Sequence, residues 1–260
     1  MPDMTIVISS CKKYSDVLHV FEKLFMKYWA DCPYDVVLST DKKGDYSFKY
    51  SNVVDSSHNG NCKILQDALK TISTPYVMLL LDDYWLIDYV KTEKIETLLG
   101  YVIKYKAGNL RTITGWCKNK VFNEAEGLKM CEAGAYRISL QGGGIWDKQY
   151  LEALLGRYDN FWAFEREGSY NEIAMQKPVL VTNYQEFPHI DAVHKGKYEP
   201  FAATILGINH IDIDVSKRRV MSNKEVIKKH LKGAIIDINP NFIVKLQNLF
   251  NIGFKGGGMS

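Results

Sequence analysis

The chain has 260 residues, 33 Lys+Arg against 30 Asp+Glu for a net charge of +3, and is 46% apolar; this is a globular composition, long enough to bury a core without metal or disulfide staples. Its longest strongly apolar run, Tyr76 to Leu81, meets Asp82 and Asp83 far short of the ~20 residues of a spanning helix, and Met1-Pro2-Asp3-Met4 has neither a basic nor an apolar signal region, so no secretory signal is expected. Five cysteines (Cys11, Cys32, Cys62, Cys117, Cys131), odd in number and without a Cys-x-x-Cys pair, predict reduced thiols, a cytoplasmic setting and no zinc site.

In chain order, the β-branched run Thr5 to Ser9 predicts a strand. Ser15 to Ala30 predicts a helix, with Val17, Leu18, Phe21, Leu24, Phe25 and Tyr28 at helical spacing, and Val36 to Ser39 a second strand. Asn61 is placed to cap a helix over Cys62 to Ile72, which Thr74-Pro75 ends. Tyr76 to Leu81 then reads as a strand buried on both faces, the mark of a mainly parallel sheet with helices on each side.

Farther on, Tyr89 to Tyr105 predicts a helix, Leu110 to Thr114 and Tyr136 to Leu140 strands, and Gln141-Gly142-Gly143-Gly144 a loop entering a helix over Lys148 to Leu155. Ser169-Tyr170-Asn171-Glu172 and Ser222-Asn223-Lys224-Glu225 have capping-box spacing, for helices reaching Gln176 and Leu231. Asn239-Pro240 opens a last helix carrying Phe242, Ile243, Leu246, Leu249 and Phe250. The simplest organisation is an α/β domain over residues 1–214 and a basic helical extension over 215–260. The extension holds nine Lys/Arg against Glu225 and Asp237, a net +7, which leaves −4 on the rest. Such a tail suits an anionic surface, or is simply a solvated helical face.

Dinucleotide, P-loop, zincin and α/β-hydrolase motifs are all missing. What remains is Asp82-Asp83 at the carboxyl end of the most apolar strand, where open α/β sheets bind ligands. Adjacent carboxylates repel each other unless a proton or a hard cation intervenes, and a divalent ion bridging them to phosphate would relieve the conflict. The plainer reading has one Asp capping the next segment and the other solvated.

Together, Ile6-Val7-Ile8-Ser9-Ser10, Val37-Leu38-Ser39-Thr40-Asp41, the helix end Ala68 to Ile72 and Thr74 to Tyr84 resemble a bacterial GT-A fold glycosyltransferase, family-2-like, of the capsular polysaccharide and lipopolysaccharide synthesis type. The resemblance spans about residues 5 to 200. It implies a Rossmann-like, mainly parallel sheet and, at Asp82 and Asp83, the acidic turn that holds Mn²⁺ or Mg²⁺ on a nucleoside diphosphate sugar. Tyr84 stands where the Asp-x-Asp pattern has its second carboxylate. By the same resemblance Ser9, Asp41, Gly143 and Lys197 bind the nucleotide sugar, His194 completes the metal shell, and Trp146 lines the sugar pocket. Glu165 is the implied catalytic base, because a carboxylate amid Phe161, Trp162 and Phe164 is desolvated toward general-base values; Glu167 is its rival.

The expectation is an inverting, metal-dependent glycosyltransferase passing a sugar to a hydroxyl of a glycan or lipid-linked glycan acceptor. It would be cytoplasmic, with the tail at the anionic inner face of the membrane and no nucleic acid as partner. The alternatives are a sugar-phosphate nucleotidyltransferase, for which the loop Ser9 to Lys13 lacks glycine, and a non-catalytic glycan- or membrane-binding module.

Overall fold

The computed structural model of the chain describes residues 3–214 and 216–238, with side chains as far as Leu231. The strands are β1 (Met4–Ser9), β2 (Val36–Thr40), β3 (Asn52–Asp55), β4 (Tyr76–Leu81), β5 (Tyr84–Leu86), β6 (Asn109–Arg111), β7 (Asn119–Asn123), β8 (Leu128–Cys131), β9 (Gly144–Asp147), β10 (Val179–Thr182), β11 (His189–Asp191), β12 (Val193–His194) and β13 (Lys197–Tyr198). The helices are α1 (Ser15–Tyr28), α2 (Asn61–Lys70), α3 (Thr92–Lys104), α4 (Lys148–Leu155), α5 (Phe161–Gly168), α6 (Pro200–Ile208) and α7 (Asn223–Ile238).

Nine strands form one sheet in the order β3-β2-β1-β4-β9-β6-β10-β8-β7, and within it only β9 and β8 run against the others. This is the mainly parallel α/β sheet expected. Side-chain alternation sorts the core into two layers. Ile6 and Ile8 of β1 and Met78 and Leu80 of β4 pack with α1, α3 and α6, whereas Val7, Val77 and Leu79 pack with α2, α4 and α5.

Several local expectations are corrected. Tyr136 to Leu140 is not a strand: Tyr136 has φ 58°, outside strand geometry, and the Leu140 N–H is committed to Glu165. The strand is β9, inserted antiparallel between β4 and β6, and it places Trp146 in the core at 1% exposure rather than in a sugar pocket. Gly142 (φ 78°) and Gly143 (φ 65°) make the turn into β9, and a Cβ on Gly142 would lie 1.9 Å from Ile113 Cγ2.

Ser169 opens no helix. Its hydroxyl accepts from Ile138 N and donates to Glu165 O, while Asn171 caps only a 3₁₀ turn, Glu172–Met175. Asn61 is the first residue of α2, with Gly60 at the cap position, and its side-chain oxygen accepts from Phe161 N at the start of α5. Cys117 and Cys131 form a disulfide, so the expectation that all five cysteines are free thiols is corrected; Cys11, Cys32 and Cys62 are free.

At the start of α7, Glu225 accepts from Ser222 N at 2.9 Å, as the capping box predicts. Ahead of it the Arg218 guanidinium is buried over the Tyr14 ring, 4.3 Å from its centroid, and pairs with Asp16 at 3.2 Å. The last expected helix, with Phe242, Ile243, Leu246, Leu249 and Phe250, lies outside the described residues. Among the described residues no helix is long and apolar enough to cross a membrane.

Candidate functional site

The order β3-β2-β1-β4 reverses its winding between β1 and β4, and such a switch point leaves a crevice beyond the carboxyl ends of the strands. A cavity of about 790 Å³ opens there, within the range of small-molecule sites. The parallel register pairs Ser9 with Leu81, so the residues that follow, Ser10 and Asp82, leave the sheet side by side. Ser10 Oγ donates to Asp82 Oδ2 at 2.5 Å, and Asp82 N donates to Ser9 O at 3.2 Å.

Asp82 is buried, with 4% of its surface exposed. Burial raises its proton affinity, and the Ser10 hydrogen bond and the nearby Arg218 charge oppose that rise. Asp83 is likewise pushed well up, first by desolvation and then by Asp82 and Asp191. Its peptide oxygen accepts from Ala192 N at 2.8 Å, which ties the acidic turn to β11 and β12. Asp82 and Asp83 are both among the residues lining the cavity.

Ser9 and Asp41 also line it, on the β1 and β2 side. Asp41 Oδ1 accepts from Lys12 N at 2.7 Å and so closes the 3₁₀ turn Lys12–Tyr14 that carries Tyr14 to the cavity wall. The loop from Ser56 to Asn61 and Phe161 of α5 form the opposite wall.

Glu165, one turn after Phe161 on α5, is partly buried and is not among the residues that line the cavity. Its Oε1 accepts from Ser139 Oγ at 2.8 Å and Leu140 N at 2.7 Å. Burial raises its proton affinity; those two hydrogen bonds and the Arg111 charge hold the rise back, and Asp191 adds to it. Glu167 points outward and pairs with Arg166, which in turn stacks on exposed Trp162 at 3.8 Å.

Other expected residues lie apart from the cavity. Gly143 packs against the far side of β4, where a Cβ would sit 3.0 Å from Leu80 Cδ2. Lys197 is on the β12–β13 ribbon and pairs with Glu225, and His194 lies opposite it on that ribbon. Among the described residues, no three His, Cys, Asp or Glu side chains form a metal-holding group. Of the expected set Asp82, Asp83 and His194, the first two line the cavity and His194 does not.

Reading the sequence assigned no role to Ser10, Tyr14 or the 56–61 loop. Ser10 stands directly after a predicted strand, a position that does signal a ligand-facing residue. Cys11 also lines the cavity, but burial pushes its thiol up to about 11, so it is no nucleophile at neutral pH.

No protein-family model matches the chain, and no curated protein matches it in sequence. Solved structures similar in fold include a cytidylyltransferase from Leptospira borgpetersenii serovar Hardjo-bovis (14% identity, 92% of this chain and 98% of that one, TM-score 0.48). Others are the bifunctional IspDF from Campylobacter jejuni (12%, 75% and 53%, TM-score 0.45) and S. aureus TarS 1-349 in complex with UDP-GlcNAc (12%, 71% and 57%, TM-score 0.43). The chain spans little more than half the length of the last two.

Proposed function

We propose that the protein is a metal-dependent glycosyltransferase that takes a sugar from a nucleoside diphosphate sugar and passes it to a hydroxyl of a bacterial surface glycan or its lipid-linked precursor. The observation that carries this reading is the Ser10–Asp82–Asp83 corner, two mutually repelling carboxylates in a cavity at the switch point of a mainly parallel sheet. Asp82 and Asp83, oxygen donors lining the cavity, would hold a hard divalent cation, Mn²⁺ or Mg²⁺. When bound, the cation supplies charge neutralisation at the departing diphosphate.

The chain's own residues do the rest. Ser10 holds Asp82 Oδ2 and so aims the carboxylate. Asp41, fixed through Oδ1 by Lys12 N, offers its other oxygen to the nucleoside. Glu165 has Oε1 occupied by Ser139 and Leu140, and Oε2 takes the acceptor proton as the hydroxyl attacks the sugar carbon from the side opposite the diphosphate. Desolvation supports this role because it raises the basicity of a carboxylate otherwise too weak.

The products test the reading. Incubation with nucleotide sugars, Mn²⁺ and a panel of glycans is expected to release nucleoside diphosphate only when an acceptor is present. Release of pyrophosphate from a nucleoside triphosphate and a sugar phosphate would instead mark a nucleotidyltransferase.

A further inference from the structure

Arg111, at the end of β6, is 0% exposed, and among the described residues it forms no ion pair with a carboxylate. Its Nη2 reaches Cys117 Sγ at 2.8 Å and Cys131 Sγ at 2.7 Å, while Nε and Nη1 are buried with no hydrogen-bond partner among the described residues. Glu165 makes its field felt but is not in contact. A guanidinium does not readily shed its proton, and a buried charge without a counter-charge is costly. The sulfurs of a disulfide are neutral and poor acceptors. A cysteine thiolate at either position would be the anion this guanidinium lacks.

We propose that Cys117 and Cys131 form a reversible dithiol–disulfide site whose reduced form is a thiol and a thiolate held by Arg111. Cys117 lies just before β7 and Cys131 ends β8; both sit at the margin of the core, and β7 is an edge strand of the sheet, so local opening of this hairpin admits a reagent. The oxidant is a small disulfide such as oxidised glutathione. The thiolate attacks one of its sulfurs and expels a glutathione thiolate. The second protein thiol loses its proton and attacks the resulting mixed disulfide, expelling the second glutathione. Two electrons leave the protein sulfurs, and the two expelled thiolates are protonated to two thiols.

Because Arg111 stabilises only the reduced form, it makes the disulfide easier to reduce than an ordinary structural one. The hairpin leads into the segment whose Ser139 and Leu140 hold Glu165, yet the proposal does not depend on the transfer reading, since its test counts thiols and not turnover.

The full chain is equilibrated across a range of reduced-to-oxidised glutathione ratios, quenched in acid, unfolded, alkylated and mapped by mass. In wild type, Cys117 and Cys131 are expected to partition between the two forms within that range, while Cys11, Cys32 and Cys62 stay reduced. Arg111→Met is expected to shift the equilibrium at least about tenfold toward the disulfide, equivalent to about 30 mV, and Arg111→Lys to shift it less because a positive charge remains. An unchanged equilibrium in Arg111→Met overturns the proposal. Should that variant fail to fold, wild type and Arg111→Lys decide: wild type in a single form at every ratio, or an Arg111→Lys equilibrium identical to wild type, overturns it, and partition in wild type with a shift toward the disulfide in Arg111→Lys supports it.

Discussion

Ser10 Oγ and Asp82 Oδ2, 72 residues apart in sequence, meet at 2.5 Å because β1 and β4 are parallel and in register up to Ser9 and Leu81. The bond joins the strand ends on either side of the switch point and is buried. A hydrogen bond to an ionised carboxylate is worth about 1.5–3 kcal/mol. Ser10→Ala is therefore expected to weaken metal-dependent nucleotide binding roughly tenfold or more while leaving the fold intact, as calorimetry and circular dichroism together will show. Wild-type affinity in Ser10→Ala would mean that the bond does not aim Asp82.

For Glu165, Gln retains an oxygen that accepts from Ser139 Oγ and Leu140 N but cannot take a proton. Glu165→Gln is expected to bind nucleotide normally and lose about 10²–10⁴-fold in turnover, whereas Glu167→Gln, altered at a surface ion pair, stays near wild type. Activity retained in Glu165→Gln would remove it as the base.

The same variant reports on pH. Glu165 is held above its ordinary value in the folded state, chiefly by burial. A raised carboxyl contributes stability that is fully present below its unfolded value and is lost as pH rises through the folded one. Melting temperatures of Glu165→Gln and wild type are expected to move apart as pH rises above the ordinary carboxyl range, the variant gaining. Parallel curves would contradict the desolvation of Glu165.

Arg218 and Asp16 are both largely enclosed, with side-chain exposures of 7% and 17%. Arg218→Met leaves Asp16 without its cation, with only the Tyr198 hydroxyl still donating to it, and removes the cation from the Tyr14 ring, so a loss of about 3 kcal/mol is expected in denaturant unfolding. Asp16→Asn in the same chain should recover part of it. Additive losses would show that the two side chains act independently.

In the tail, Arg219 and Lys229 are engaged with Glu225 and Glu199, while Lys217, Lys224 and Lys228 are exposed. If residues 215–260 dock on anionic lipid, each exposed lysine near the surface adds about 1 kcal/mol. Co-sedimentation with anionic vesicles should then fall with salt and with Glu at those three positions. Equal binding to neutral vesicles would count against this role.

How much of this was legible in the sequence follows from the range of the interactions. The strand Tyr76–Leu81 and the helix from Ser15 announce themselves locally, by an unbroken apolar run and by helical spacing, and Asp82-Asp83 stands out because it interrupts that run. The strand Gly144–Asp147 escaped because its glycines read as a loop, and its burial comes from neighbours more than thirty residues away. The Cys117–Cys131 pairing depends on the β7–β8 register, which no spacing rule supplies. Lys197 looked available for phosphate because Glu225, its partner, is 28 residues farther along.

The central claim is that Asp82 and Asp83 bind a nucleoside diphosphate through a divalent metal. It is tested most directly by calorimetric titration of a panel of nucleoside diphosphates into wild type, Asp82→Asn and Asp83→Asn, with and without Mn²⁺. Expected is binding in wild type that requires the metal and is lost in both variants, whose folds persist because each substitution relieves carboxylate repulsion. Nucleotide binding that ignores both the metal and the two substitutions would contradict the assignment.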